Sequence, residues 1–107
     1  MKPVLNSLSE IVAQANDNFY NNHKSINIIM GIMDKNLRKQ GMNADAITID
    51  CVAKNKKIVF LLHDSKPTKV DVALGNKEGD ISSSAEYDLA SMTVASVEAI
   101  FATTFLS

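Results

Sequence analysis

Apolar and polar positions recur along this chain with two different periods, and the change of period divides it. Over PVLNSLSEIVAQANDNFY, residues Val4, Leu5, Leu8, Ile11, Val12, Ala15 and Phe19 fall at helical spacing, and Pro3 suits a first turn. The Asn-rich NDNFYNNHKS that follows is a poor helix interior and predicts a break or kink, with one long helix as the other reading. From Ser25, which can cap, SINIIMGIMDKNLRKQG sets Ile26, Ile29, Met30, Met33 and Leu37 on one helical face. Arg38 and Lys39 then lie in its last turn, with Gly41 just beyond as a left-handed stop. Ile28 and Ile32 widen the stripe, so this Met-rich helix is expected to bury against more than one neighbour or against a second chain.

Beyond Asn43 the period becomes two. AITIDCV alternates Ile47, Ile49 and Cys51 with Thr48, Asp50 and Val52, and KIVFLLH is apolar on both faces. The KNKK between them predicts a tight hairpin turn around Asn55 and Lys56. DSKPT makes a longer turn, after which KVDVAL alternates Val70, Val72 and Leu74 with Lys69, Asp71 and Ala73. GNKEG turns the chain again into DISSSAEYDL, where strict alternation predicts an edge strand; a helix capped by Ser83 and Glu86 is the competing reading. TVASVEAIFATTF closes the chain with Val94, Val97, Phe101 and Phe105 on one stripe and Thr93 as N-cap. The fold expected is a single α+β domain over residues 1–107. N-terminal helices and a C-terminal helix cover one face of a four-stranded antiparallel meander, in a two-layer sandwich.

Composition narrows the class without naming a function. With 107 residues, 46% of them hydrophobic and 21% charged, the chain can bury a core without disulfides or a metal. Cys51 is the single cysteine and sits where a small buried residue fits. No apolar run approaches the roughly 20 residues of a membrane span, and Asn6, Ser7, Ser9 and Glu10 interrupt any leader-like run after Lys2. A cytoplasmic location is the expectation. The net charge of −1 hides a gradient: residues 35–77 carry nine Lys or Arg against four Asp, whereas residues 78–107 carry five acidic side chains and no Lys or Arg. A basic middle and an acidic end neutralise each other when packed together, which outranks a nucleic-acid surface. Lys54, Lys56, Lys57 and Lys77 would share one end of the meander, without interleaved aromatics, and read as guards of exposed turns.

The hairpins allow a register to be drawn. Ile49 opposite Leu62 and Cys51 opposite Phe60, with Phe60 opposite Val72 and Ile58 opposite Leu74, collect one apolar face for the helices to cover. The other face then has an apolar end, Val52, Val59, Leu61 and Ala73, and a polar end where His63 falls among Asp50, Asp71, Lys69 and Glu86. An uncovered apolar face is most simply covered by a second copy, so a homodimer is expected, with some other protein partner as a further outcome. Imidazole among carboxylates can move a proton or ligate a metal, so His63 with Asp50 or Asp71 is the candidate for an enzymatic alternative, Lys69 and Glu86 assisting in ligand binding. Asp50 and Asp71 are two strand spacings apart, roughly 10 Å, too wide for one ion without help from Glu86 or a second chain; no metal or cofactor is expected.

Gly31, Gly41, Gly75 and Gly79 fit no phosphate loop, and Ser82, Ser83 and Ser84 lack an elbow motif or an adjacent base. The dipeptide His63-Asp64 is shared with HD phosphohydrolases, which place it in a helical metal site, while here it ends a strand. A helix–strands–helix order is also that of double-stranded RNA-binding domains, whose lysine cluster on the last helix has no counterpart after Asp80. Both matches are set aside.

Overall fold

The computed structural model describes residues 3–106. Helix α1 runs unbroken over Pro3–Asn22 and buries Leu5, Leu8, Val12, Ala15 and Phe19, the stripe that the helical period marks. It ends inside the Asn-rich stretch, where the His23 N–H donates to the Phe19 carbonyl at 2.8 Å and the two rings meet at 4.6 Å.

The second helix of the sequence reading is replaced. Ile29–Met33 forms strand β1, and only Asn36–Lys39 is helical, as a single turn, α2. Met30 and Met33 therefore stand on an edge strand rather than on a Met-rich helix. Two local properties favour the strand. Isoleucine is β-branched, and Gly31 inside a helix would cost about 1 kcal/mol against alanine. The stretch also carries a period of two, because Ile26, Ile28 and Met30 all pack on the core. Gly31 has a further reason to be there: Thr48 Oγ1 of the neighbouring strand lies 2.9 Å from where a Cβ would stand. The stop signals were real for what remains of the helix, since Gly41 follows it with φ +88°.

Strands β2 (Ala44–Cys51), β3 (Lys56–His63), β4 (Lys69–Gly75) and β5 (Ile81–Asp88) complete a five-stranded antiparallel meander in the order β1-β2-β3-β4-β5, one strand more than expected. The first hairpin is not a two-residue turn. Val52–Lys54 makes a 3-10 turn and Asn55 takes the left-handed conformation at φ 51°, so Ile49 pairs with Ile58 and Ile47 with Phe60. Against the expected pairing of Ile49 with Leu62 the slip is four residues, an even number, and every side chain that stays in the sheet keeps its face. Between β3 and β4 the register is the expected one, with Phe60 opposite Val72 and Ile58 opposite Leu74. Between β4 and β5 the alternation puts Lys69 opposite Glu86 and Asp71 opposite Ser84, whereas the structure pairs Asp71 with Glu86 and Lys69 with Asp88, two residues away, with a one-residue irregularity at Leu74/Gly75.

Helix α3, Val94–Phe105, opens with a capping box: the Ser96 N–H donates to Thr93 Oγ1 at 3.1 Å and the Thr93 N–H to Ser96 Oγ at 2.9 Å. Its Phe101 and Phe105 meet Phe19 of α1 edge-on, with ring centroids 5.9 and 6.1 Å apart. Together α1 and α3 bury Ile47, Ile49, Cys51, Ile58, Phe60, Val70 and Val72 in one core. The fold is an α+β two-layer sandwich, and both long helices lie on the same face of its sheet.

Candidate functional site

The face turned away from those helices is read from the register. One row crosses it as Gly31, Thr48, Val59, Ala73 and Ser84; the next as Met33, Ala46, Leu61, Asp71 and Glu86. Ala46 and Thr48 are buried although neither long helix covers this face. Val59, Leu61 and Ala73 are half-buried. Val52 is a correction: it leaves the sheet for the 3-10 turn and stands 60% exposed, away from the strip it was assigned to.

Ion pairs close the ends of the strip. At one end Asp50 lies 3.8 Å from Lys57, directly opposite it on β3. The registry slip thus takes Asp50 away from His63, whose partner on β2 is Ala44. At the other end His63 Nε2 lies 3.2 Å from Asp71 Oδ2, Lys66 Nζ donates to Glu86 Oε2 at 2.8 Å, and Lys69 donates to the Asp88 carboxylate. Of the polar residues expected together, His63 and Asp71 touch, while Lys69 and Glu86 each face a different partner. The hydrogen bond from Lys66 holds the Glu86 carboxyl below its ordinary pKa, and the bonds to Glu86 and Asp88 raise Lys66 and Lys69 above theirs.

A second constellation was not foreseen. Arg38 Nε and Nη2 donate to Asp45 Oδ1 and Oδ2, both at 2.9 Å, while Nη1 and Nη2 donate to Asp64 Oδ2 and Oδ1, both at 2.8 Å. Two forked contacts on one guanidinium, the one to Asp64 foremost, raise its pKa further above the ordinary range. The Asp45 side chain is only 5% exposed and that of Asp64 37%. Asp64 therefore does more than start a turn: it helps to tie α2 to β2 and to the end of β3. Its backbone N–H donates to the Asn43 carbonyl at 3.0 Å. The signal was present in the spacing of Arg38 and Asp45, but a helix drawn through residue 40 hid it.

What can this surface do chemically? The depression that touches His63 lies at the end of the sheet beside α1, has a volume of about 130 Å³ and is also lined by Val4, Leu5, Asp45, Leu62, Asp64, Lys66 and Pro67. Small-molecule sites generally take roughly 300–1,000 Å³. Among the described residues, no three His, Cys, Asp or Glu side chains are grouped to hold a metal ion, and no helix is long and apolar enough to cross a membrane. The site is thus an apolar strip between ion pairs on an uncovered sheet face, in a small α+β sandwich. Comparison with protein-family models, curated proteins and solved structures gives no match.

Proposed function

We propose that this protein is a non-enzymatic binding or adaptor protein that works in the cytoplasm as a homodimer joined through the open sheet face. The observation that carries the reading is the strip Ala46, Thr48, Val59, Leu61 and Ala73, four of its five side chains apolar and covered by neither long helix. A second copy suits it in two respects. Its charged neighbours already pair within the chain, so the strip offers little to a strongly charged partner. A two-fold axis would lay strip on strip, as an isologous contact requires.

The enzymatic alternative has the His63–Asp71 contact in its favour. It has less support because the depression at His63 is small. Light scattering tests the homodimer: the wild-type mass is expected to be that of two chains, and Val59→Lys that of one, with an unchanged circular dichroism spectrum. Val59→Thr, which keeps the shape, should remain dimeric. A full dimer in Val59→Lys removes the sheet face from consideration.

A further inference from the structure

The sheet has two edges, and they differ in kind. At one edge β5 carries Glu86 and Asp88, follows Asp80 and pairs with β4 through an irregularity at Leu74/Gly75, features that discourage a further strand. At the other edge β1 has none of them. Ile29–Met33 reads IMGIM, without charge or proline, and its register with β2 runs evenly from Ile29 opposite Asp50 to Met33 opposite Ala46. Ile29 is 55% exposed and Ile32 40%.

In an antiparallel edge strand the N–H and C=O groups of alternate residues point away from the sheet. Among the described residues, the backbone of Ile29–Met33 pairs with β2 alone. A row of such groups is met by another extended backbone, which is how a sheet takes up a peptide as one more strand. Ile29, Gly31 and Met33 stand on the open face of the sheet, Met30 and Ile32 on the helix side, so an added strand finds apolar neighbours on both faces.

Charge sets the ends of that strand. Lys24 lies in the turn before β1, Lys35 directly before α2 and Lys39 at its end; all three are exposed, and among the described residues none of them makes an ion pair. Asp34 is the only acidic residue of the segment 24–40, and Arg38 is already held by Asp45 and Asp64. A second copy of β1, running antiparallel, would bring Lys24 toward the lysines after the partner's strand. An acidic partner meets cations at both ends.

The geometry points to β1 as a docking edge for an extended segment of another protein, apolar along its middle and acidic at both ends. This deepens the binding-protein reading and rests on it, but not on the homodimer. The acids of β5 would repel the same segment, so the two edges are not equivalent.

Fluorescence polarisation of the full chain with the labelled peptide DEVIVTVED is the test. One peptide per chain is expected, with KKVIVTVKK bound at least about tenfold more weakly. Methylation of every amide nitrogen in the five central residues of the peptide should abolish binding, because it removes the ladder and keeps the side chains. Lys24→Glu combined with Lys35→Glu should weaken DEVIVTVED about tenfold, and Ile32→Asp, with an unchanged circular dichroism spectrum, should abolish it. Amide hydrogen exchange should slow in Ile29–Met33 and stay as it was in Ile81–Asp88. Val59→Lys should bind at full strength, whatever its mass, which separates this edge from the dimer face. The proposal is overturned if DEVIVTVED does not bind, if the methylated or the lysine-ended peptide binds as well, or if Val59→Lys alone loses it. Protection at β5 in place of β1 overturns it too, as does a change of mass in Ile32→Asp without peptide, since a second copy would then occupy the edge.

Discussion

Arg38 grips two carboxylates of very different exposure, and that difference decides which loss matters. Without the guanidinium, Asp45 keeps a buried charge with no compensating cation, whereas Asp64 can turn to water. Arg38→Gln is therefore expected to lower the urea midpoint clearly and Asp64→Asn much less; equal shifts would mean that burial of Asp45 is not the cost. The ladder across β4 and β5 is a surface feature with a pH signature. Because Lys66 lowers the Glu86 pKa on folding, the pair stabilises the protein above the unfolded glutamate value, and the contribution is lost as pH falls through the folded one. The raised Lys66 and Lys69 lose theirs only as pH rises through the folded lysine values. Glu86→Gln should accordingly be slightly less stable than wild type at neutral pH, and the gap should close on acidification, as read by thermal unfolding at several pH values. A gap that widens in acid would reverse the sign assigned here.

At the scale of elements, the chain speaks clearly where two signals agree. Helix α3 has both a stripe and a cap: Val97, Phe101 and Phe105 are buried, and Thr93 and Ser96 close its first turn reciprocally. Thr93→Ala should cost about 1 kcal/mol in denaturant unfolding, with the mass in solution unchanged because the cap is remote from the open face. Residues 26–40 show the opposite case. Ile26, Ile29, Met30 and Met33 satisfy a period of 3.6, while Ile26, Ile28 and Met30 satisfy a period of two, and an apolar run this dense fits both. The tie is broken by β2, whose open edge takes Ile29–Met33 into the sheet with Met30 opposite Ile49. No local propensity contains that partner. The edge strand β5 was legible because DISSSAEYDL alternates and lacks a helix former's continuous stripe.

For the molecule as a whole, two helices on one side of a five-stranded sheet cannot cover all of it. The surplus divides into the open face and the trough between α3 and β5. The proposed dimer would make stability depend on concentration. The thermal midpoint of the wild type should rise with protein concentration and that of Val59→Lys should not. A wild-type midpoint independent of concentration, with a monomer mass, would count against the interface as a whole rather than against one residue of it.

From the sequence alone came the class of fold, the stripe of α1, four of the five strands, the capped last helix and the identity of both sheet faces. Face identity survived two registry errors because side chains alternate with a period of two and both slips were even, four residues at β2–β3 and two at β4–β5. Row identity did not survive, since it rests on the length of each turn. Asp50 and His63 parted for that reason, while His63 and Asp71 stayed together across the hairpin whose register was drawn correctly. Tertiary structure alone decided the fifth strand, the Arg38 clamp and the trough. Each depends on where one element stops beside another that is distant in the chain, and periodicity within a segment carries no information about its neighbour's edge.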